Sequence, residues 1–485
     1  MTDLAAFVLF SGVLLAAVGV GEGLRVGLGW RPESTRRVVH VGVGIATALC
    51  PPLFSEPTPV YVLAVLFVGA NAVALRRRWL PAIHGAARPS VGTVVFPAAL
   101  VVALFLCWTL DAERVFVLQT AFLVLGLADP AASLAGTTVR RPGRYSVAGA
   151  TKSMAGSAAF AVVAGACAAG MLAWLAPPHW GAVQIAAGAF VVACVGAASE
   201  ALGRGGWDNL LIVLAVVVPL SALDARPEAA GLFAGAVAAA AFFGVSAYRA
   251  QSLDLSGALA GAVLAWMLVA LGGWAWAVPA LAFFVASSAL SRVGRARRAG
   301  AEVLAEKGSR RDAGQVGANG GVAALLLAGS VFGPSPALYA AFLGAFAAAA
   351  ADTWATEIGT FVRGTTRRLG VGPRVAPGTS GGVSLAGTLG AVAGAAFVAA
   401  VASPFVPVPV WLVVAGAGVA GAAVDTVLGA TVQARYRLAD GRLGERPAEP
   451  GQALAAGLAF VTNDRVNLAC TLVGALVTFA VFSLT

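Results

Sequence analysis

Charged residues are scarce in this sequence. They make up 11% of the 485 residues, whereas hydrophobic residues make up 59%. Ordinary soluble domains carry about 25% charged residues, so this chain has too little polar surface to enclose soluble cores of its size. The composition therefore excludes a soluble protein and predicts an all-α, polytopic integral membrane protein, for which we expect no nucleic-acid partner.

Cysteine, lysine and histidine are also rare. Five cysteines lie apart in apolar runs without Cys-x-x-Cys spacing, which argues against a metal cluster or a disulfide framework. Lys152-Ser153 follows Thr151 rather than Gly, so the chain has no ATP-type P-loop. The three histidines show no zinc-like spacing. A nucleotide site in this chain would therefore be of another kind.

Long apolar runs make up most of the sequence. A bilayer core needs about 20 apolar residues per helix, and this rule predicts about sixteen membrane spans. They cover residues 4–24, 38–54, 59–75, 91–110, 115–136, 153–175, 180–199, 209–223, 229–248, 256–271, 273–291, 317–332, 335–358, 382–402, 408–430 and 465–484. The first span lacks a basic leader and a convincing cleavage site, so we expect it to be retained.

Positive charges fall almost entirely on one side of this pattern. If alternate loops face the same side, that side holds 30 of the 32 Lys and Arg residues, leaving only Arg114 and Arg226 opposite. The positive-inside rule makes the cation-rich side cytoplasmic and places both termini outside. We therefore predict a protein of the bacterial cytoplasmic membrane, with any site in the cation-rich loops facing the cytoplasm.

The two halves of the chain share a spaced pattern around an acidic residue. In each half an Arg stands 41 residues before the Asp, a Gly seven after it and a Ser 28 after it. These residues are Arg88, Asp129, Gly136 and Ser157 in the first half, and Arg311, Asp352, Gly359 and Ser380 in the second. The pattern predicts two parallel, duplicated helical bundles.

Acids near span ends need a physical reason, because ionisable groups inside a membrane cost free energy. Here small residues surround each acid and a cationic, Gly/Ser-rich loop follows. Such groups suit a nucleotide with magnesium, since carboxylates bind the hard cation while cations and backbone N–H groups bind phosphates. Each half would then carry a phosphate-handling site at the cation-rich ends of its spans.

The first half resembles the polyprenol kinase family, which contains phytol kinase and dolichol kinase. The resemblance covers roughly residues 30–223. It lies in Arg36-Arg37-Val38-Val39-His40, Arg88 with Gly92-Thr93-Val94, Ala128-Asp129-Pro130-Ala131-Ala132-Ser133, Lys152-Ser153 with Gly156-Ser157, and Glu200 with Asp208-Asn209. The resemblance implies that this half phosphorylates an isoprenoid alcohol with CTP as donor.

The second half, about residues 250–484, resembles more closely the family of phytyl-phosphate kinase and its transmembrane relatives. The resemblance lies in Arg311-Asp312-Ala313-Gly314-Gln315, Asn319-Gly320-Gly321, Ala351-Asp352-Thr353-Trp354 with Glu357, Pro377 to Ser384, Asp425 with Leu428 to Gln433, and Asn463-Asp464 with Asn467. It implies that this half adds a second phosphate.

Together the resemblances predict a bifunctional, CTP-dependent kinase that converts phytol, geranylgeraniol or farnesol first to the monophosphate and then to the diphosphate. Residues 1–225 would form the alcohol kinase, 226–255 a linking span and 256–485 the phosphate kinase. Magnesium, CTP, the isoprenoid substrate and membrane lipids are the expected partners. A transporter built on a parallel repeat and a CTP-dependent lipid cytidylyltransferase are the alternatives.

The polar clusters and the resemblances together assign the candidate residues. The predicted catalytic residues are Asp129, Asp352 and Glu357. The predicted metal ligands are Asp129, Glu200, Asp208, Asp352, Asp425 and Asp464. The predicted nucleotide and phosphate ligands are Arg88, Lys152, Ser153, Ser157, Arg310, Arg311, Gln315, Asn319, Arg374, Thr379, Ser380 and Ser384. The predicted substrate-binding or supporting residues are Arg37, His40, Asn209, Gln433, Asn463 and Asn467.

Overall fold

The structure is a computed structural model. It describes residues 1–77, 79, 90–293, 310–362, 364–438, 443–445, 447 and 452–484, and these contain sixteen α-helices. Fifteen helices in this part of the chain are long and apolar enough to cross a membrane. The polytopic, all-α membrane fold is therefore confirmed. The remaining predicted span, 38–54, corresponds to a helix whose 18 residues include Glu33, Arg36 and Arg37 and are less apolar.

The chain forms two compact units, residues 1–239 and 240–485. The boundary falls inside the predicted linking span. The helices of unit 1 are α1 Asp3–Leu28, α2 Pro32–Leu49, α3 Thr58–Arg77, α4 Gly92–Leu104, α5 Val115–Thr138, α6 Met154–Leu175, α7 Ala182–Leu202 and α8 Asp208–Ala225, and α9 Ala230–Arg249 contains the boundary. An antiparallel hairpin, β1 Arg144–Val147 and β2 Ala150–Ser153, lies between α5 and α6. A π-helical turn, Phe105–Thr109, continues α4.

Unit 2 has a comparable set of elements. Its helices are α10 Leu255–Met267, α11 Trp274–Arg292, α12 Ala313–Phe332, α13 Pro336–Phe361, α14 Leu385–Ala402, α15 Val408–Thr431 and α16 Asn463–Leu484. Its short strands are β3 Arg367–Arg368, β4 Gly382–Val383, β5 Arg435–Arg437, β6 Leu443–Gly444 and β7 Leu454–Ala456. Strand β3 pairs with β4, and β5 lies between β6 and β7, all antiparallel.

Each unit is built around one buried helix. In unit 1 this is α5, which packs against α2, α6 and α8, and its Leu118, Phe122 and Leu125 are fully buried. In unit 2 it is α13, whose alanine run 347–351 is buried against α14, α15 and α16. Small residues allow helix backbones to approach closely where no hydrophobic force drives association. Both acids of the sequence pattern lie on these central helices.

A similar local arrangement follows each central helix. A short strand pair leads into a helix capped by a serine: Ser153 Oγ accepts from Gly156 N and Ser384 Oγ accepts from Gly387 N, both at 3.1 Å. Ser157, however, lies inside α6, whereas Ser380 lies in the loop before α14. Their equal spacing from the acids therefore does not give them equivalent positions, because the loop of unit 2 is longer. Duplication of the bundles stays a prediction.

The crossing of α2 and α5 yields a stability prediction. A Cβ on Gly44 would collide with the Cα of Gly126. We expect Gly44→Ala to separate the helices and to destabilise unit 1 by about 1 to 3 kcal/mol. The Tm of the protein in detergent measures this. Gly12→Ala is the matched control, since nothing lies within 4 Å of its added Cβ, and an equal Tm for the two variants would contradict the prediction.

Candidate functional site

Unit 1 contains a polar cavity of about 1050 Å³. It lies between the ends of α2, α5, α6, α7 and α8 and is bordered by the β1–β2 hairpin. Nine of the predicted site residues line it: Arg37, His40, Asp129, Lys152, Ser153, Ser157, Glu200, Asp208 and Asn209. The fold therefore brings together polar residues that are up to 172 positions apart in the sequence.

Three of the predicted carboxylates and Lys152 line this polar cavity. Lys152 Nζ donates to Glu200 Oε1 at 2.6 Å and to the Glu200 backbone oxygen at 2.7 Å. Glu200 is only 7% exposed, so the lysine offsets a carboxylate that would be costly to bury alone. Asp129 shares the cavity with Glu200 and Asp208, and all three are close enough to interact electrostatically. Such a cluster favours a bound cation.

His40 and Arg37 are held by the central helix. His40 Nε2 lies 3.1 Å from the Leu125 carbonyl oxygen and 3.8 Å from Asp129 Oδ2. A carbonyl oxygen only accepts, so His40 Nε2 carries a hydrogen in this contact and cannot serve as a base there. Arg37 Nε donates to Ser133 Oγ at 3.0 Å. These contacts indicate a supporting role for both side chains.

Ser153, Ser157 and Asn209 hold the cavity walls in place. Ser153 caps α6, Ser157 Oγ is hydrogen-bonded to Tyr145 Oη of the hairpin at 2.6 Å, and Asn209 Nδ2 donates to the Gly92 carbonyl oxygen at 2.7 Å. The N-terminus of α6 thereby lines the cavity. The first N–H groups of α6 are already paired, those of Met154 and Ala155 with carbonyl oxygens of the preceding loop and that of Gly156 with Ser153. The dipole of this helix start still favours an anion such as a phosphate.

An apolar slot of about 120 Å³ adjoins the polar cavity, and Arg36, His40 and Asn209 line both. The slot runs between four helices. Its lining comprises Phe10, Leu14 and Val18 of α1, Val39, Val43 and Thr47 of α2, Leu63, Ala64, Phe67 and Asn71 of α3, and Gly92, Thr93, Phe96, Pro97 and Leu100 of α4. From Gly92 to Leu100 a helix rises about 12 Å, which measures the depth of the slot.

Arg36 belongs to the Arg36–His40 motif of the resemblance, but it was not among the predicted site residues. Its guanidinium donates to Ser90 Oγ at 3.2 Å and lines both the polar cavity and the apolar slot. A cation at this junction is placed to meet the polar end of a molecule whose chain lies in the slot. The available signal was its spacing, because Arg36 and His40 are four residues apart and share one face of α2.

In unit 2 the acids Asp352 of α13 and Asp425 of α15 are close enough to interact with each other. Two neighbouring carboxylates repel each other, and a bound cation would offset that repulsion. In the orientation that satisfies its amide, Asn467 donates to Asp425 Oδ2 at 3.1 Å and to the Asn463 carbonyl oxygen at 3.2 Å. Gln433 Nε2 donates to Asn463 Oδ1 at 3.4 Å.

These five residues (Asp352, Asp425, Gln433, Asn463 and Asn467) form what we call the Asp352–Asp425 cluster. Asp464 follows Asn463 in the first turn of α16. Glu357 is oriented elsewhere, since it accepts from Ser291 Oγ of α11 at 2.6 Å. Asp352 and Glu357 are five residues apart on α13, so their side chains differ in direction by about 140° around the helix axis. The structure therefore does not bring Glu357 together with Asp352.

The Gly/Ser-rich segment before α14 shows mixed roles for its predicted residues. Ser380 Oγ is hydrogen-bonded to Glu445, Thr379 Oγ1 donates to the Ala376 carbonyl oxygen at 2.7 Å, and Ser384 caps α14. Arg374 is exposed. Among these residues, only Ser380 connects the segment to a charged side chain, that of Glu445.

Two arginines that the sequence did not single out lie near this segment. Arg368 and Arg435 both donate to the Ala430 carbonyl oxygen at the end of α15. Arg435 is 4% exposed, and burial, followed by the charge of Arg368, lowers the pKa of Arg435. No sequence signal distinguished either from the many arginines that mark the cation-rich side.

Arg311 lies just before α12 and is half-buried. Burial lowers the pKa of Arg311 to about 10, so its guanidinium is still charged at neutral pH. Within the described ranges this guanidinium has no hydrogen bond or ion pair. A half-buried cation without a partner is costly, and a phosphate would offset that cost. Arg311 is thus a predicted phosphate ligand that is available to a bound anion.

The other predicted phosphate ligands near the start of α12 have different surroundings from Arg311. Gln315 forms a capping box with Asp312, in which each side chain accepts from the other backbone N–H at 3.0 and 3.2 Å. Arg310 is exposed, and Asn319 is half-buried on α12. Arg88 lies outside the described residues. The role of Gln315 is therefore structural at least in part, and its Asp-x-x-Gln spacing was a readable helix-start signal.

Magnesium fits these residues only together with a phosphate ligand. No three His, Cys, Asp or Glu side chains in the described part of the chain converge as a metal cage. Magnesium is usually bound by one or two carboxylates plus substrate phosphates, and it keeps several waters. The Asp352–Asp425 pair and the carboxylates of the unit 1 cavity match that donor set.

Comparison with known proteins places the chain in a family. The family model of the integral membrane protein DUF92 matches residues 238–475. Protein PGR of Arabidopsis thaliana is 32% identical over 214 residues, covering 38% of this chain and 74% of PGR. An uncharacterised membrane protein of Methanocaldococcus jannaschii is 26% identical over 230 residues, covering 47% and 85% of the two chains. No solved structure matches. The chain therefore belongs to the integral membrane protein family DUF92.

Proposed function

We propose that this protein is a bifunctional, CTP-dependent kinase that phosphorylates an isoprenoid alcohol in unit 1 and the resulting monophosphate in unit 2. One observation carries the proposal: the polar cavity of unit 1 adjoins an apolar slot and shares lining residues with it. A nucleotide requires the first environment and a lipid chain the second. Arg36, His40 and Asn209 lie where the polar end of the lipid would meet the nucleotide.

Phosphoryl transfer suits this arrangement because its catalysis rests mainly on positioning and electrostatic stabilisation. In unit 1, Lys152, Arg36 and the N-terminus of α6 bind the phosphates of CTP. The alcohol oxygen forms a bond to the γ-phosphorus, the bond from that phosphorus to the β–γ bridging oxygen breaks, and CDP leaves. Asp129 accepts the proton of the hydroxyl. Magnesium bound with the nucleotide would neutralise charge on the phosphates.

Unit 2 carries out the second transfer in the same way. The Asp352–Asp425 cluster supplies the carboxylates, and Arg311, left without a protein partner among the described residues, binds phosphate. The acceptor is a phosphate oxygen of the lipid monophosphate, which needs no strong base. The cation-rich ends of both units face the cytoplasm in this proposal, because CTP is a cytosolic nucleotide.

The test is an assay with γ-labelled nucleotide. We expect the purified protein in lipid nanodiscs with magnesium to transfer label from CTP to phytol, geranylgeraniol or farnesol, giving mono- and diphosphate. The missing P-loop and the resemblance of both halves predict much weaker use of ATP. Chelation of the divalent cation should stop the reaction.

Other outcomes identify the alternatives. Release of pyrophosphate with formation of a CDP-lipid would indicate a cytidylyltransferase. Unlabelled lipids with every alcohol and with either nucleotide would contradict the kinase proposal and favour a transporter.

A further inference from the structure

The deep end of the apolar slot in unit 1 is closed by buried side chains. The residues that line this end are nearly inaccessible: Phe10 at 3% exposure, Leu14 at 7%, Thr47 at 1%, Leu63 at 5% and Leu100 at 6%. The opposite end adjoins the polar cavity, with which it shares Arg36, His40 and Asn209 as lining residues. The slot therefore borders the polar cavity at one end and ends among buried side chains at the other.

Phe10 is the largest side chain at the closed end, and its ring is held in position. It meets the ring of Phe54 edge to face, with centroids 6.1 Å apart. Edge-to-face pairs are favourable, and each ring restricts the motion of the other. Phe54 is itself 7% exposed. A chain that reaches Phe10 would therefore meet a fixed wall.

The distance available to a chain is set by the helices. The lining extends from Val18 back to Phe10 on α1 and from Gly92 to Leu100 on α4, which corresponds to about 12 Å in each case. On α2 the lining also runs from the polar cavity to the deep end of the slot, from Arg36 to Thr47. An extended chain longer than this distance must bend or leave the slot sideways.

We propose that Phe10, held by Phe54, sets the longest isoprenoid chain that unit 1 binds fully within its slot. This inference rests on the proposed function for the identity of the substrate, but it concerns binding and can be tested without catalysis. Shorter chains end before the wall, whereas longer chains press against it. Phe10 is thus a specificity-determining residue that contacts the far end of the chain and not the reacting atoms.

The experiment measures the Kd of tritiated geraniol, farnesol and geranylgeraniol for the full-length protein in nanodiscs, without nucleotide. Phe10→Ala should improve the affinity for the longest alcohol relative to the shortest by roughly tenfold or more, because one methylene in an apolar pocket changes discrimination by about 10–200-fold. Leu100→Phe fills the same end from α4 and should change the ratio in the opposite direction. Phe7→Ala is the control, since Phe7 lies on the same helix but does not line the slot.

Each result decides the proposal. Opposite shifts in Phe10→Ala and Leu100→Phe with an unchanged ratio in Phe7→Ala would support it, and either shift alone suffices if the other variant does not fold. An unchanged chain-length profile in both variants, or no binding of any alcohol, would overturn it. Binding with the expected shifts but no transfer of label from CTP would instead contradict the kinase proposal alone.

Discussion

Asp129→Asn is expected to stop phosphorylation of the isoprenoid alcohol while leaving conversion of supplied monophosphate to diphosphate intact. The change removes both a cation ligand of the unit 1 cavity and the acceptor of the hydroxyl proton. Loss of a positioned acid or base typically costs about 10²–10⁴-fold in rate. Asp352→Asn should have the reverse effect, with monophosphate accumulating. Labelled products from each substrate, separated by chromatography, measure both reactions.

Two controls make this comparison sharp. Glu56→Gln removes an exposed carboxylate of unit 1 that does not line the polar cavity, and it should leave both reactions unchanged. The retained reaction in each Asp variant shows that the protein is folded. If either Asp variant, still folded, lost both reactions, the two-site arrangement would be wrong and a single composite site would replace it.

Arg311→Lys is expected to lower kcat/KM for the monophosphate kinase about ten- to a hundredfold, although the formal charge is kept. The guanidinium offers two parallel N–H donors to phosphate, and an ammonium group cannot reproduce that fork. The loss of such a charge-assisted contact costs roughly 1.5–3 kcal/mol. Steady-state kinetics with the monophosphate as substrate measure the effect, and alcohol phosphorylation in unit 1 should not change.

The pH dependence of the same variant provides a second observation. Burial lowers the pKa of Arg311 to about 10, so the wild-type side chain stays charged up to that pH. The same burial lowers the pKa of a lysine at this position below its ordinary value of about 10.4. A cation with a lowered pKa loses its proton as pH rises, so the defect of Arg311→Lys should deepen between about pH 7 and pH 9.

The control for the second prediction is Arg249→Lys, because Arg249 is exposed at the end of α9. It should show wild-type kinetics at every pH. Identical kinetics for Arg311→Lys and Arg249→Lys would mean that Arg311 only marks the cation-rich side of the membrane protein.

The arginines illustrate why sequence reasoning found only part of the site. Arg368 and Arg435 both donate to a carbonyl oxygen at the end of α15, yet along the chain they resemble the arginines that mark topology. The predicted Arg374 is exposed, whereas the unpredicted Arg435 is 4% exposed. Side-chain burial depends on which helices pack together, and a single sequence does not contain that information.

The sequence by itself determined the features that depend on local chemistry. Runs of about 20 apolar residues predict membrane helices, because each backbone N–H and C=O must be satisfied within the segment. Most of the polar residues chosen in the first half, including Asp129 and Lys152, proved to line one cavity, since charges in apolar spans are rare enough to stand out. The Asp312 and Gln315 capping box was also readable from spacing alone.

Only the tertiary structure decided the features that depend on contacts between distant segments. The apolar slot is formed by ordinary hydrophobic positions of four helices, which along the chain are indistinguishable from core positions. The structure likewise placed Ser157 inside a helix and Ser380 in a loop, and turned Glu357 toward α11 and away from Asp352. Such relations are set by packing geometry over long sequence separations, whereas periodicity and composition report only on neighbouring residues.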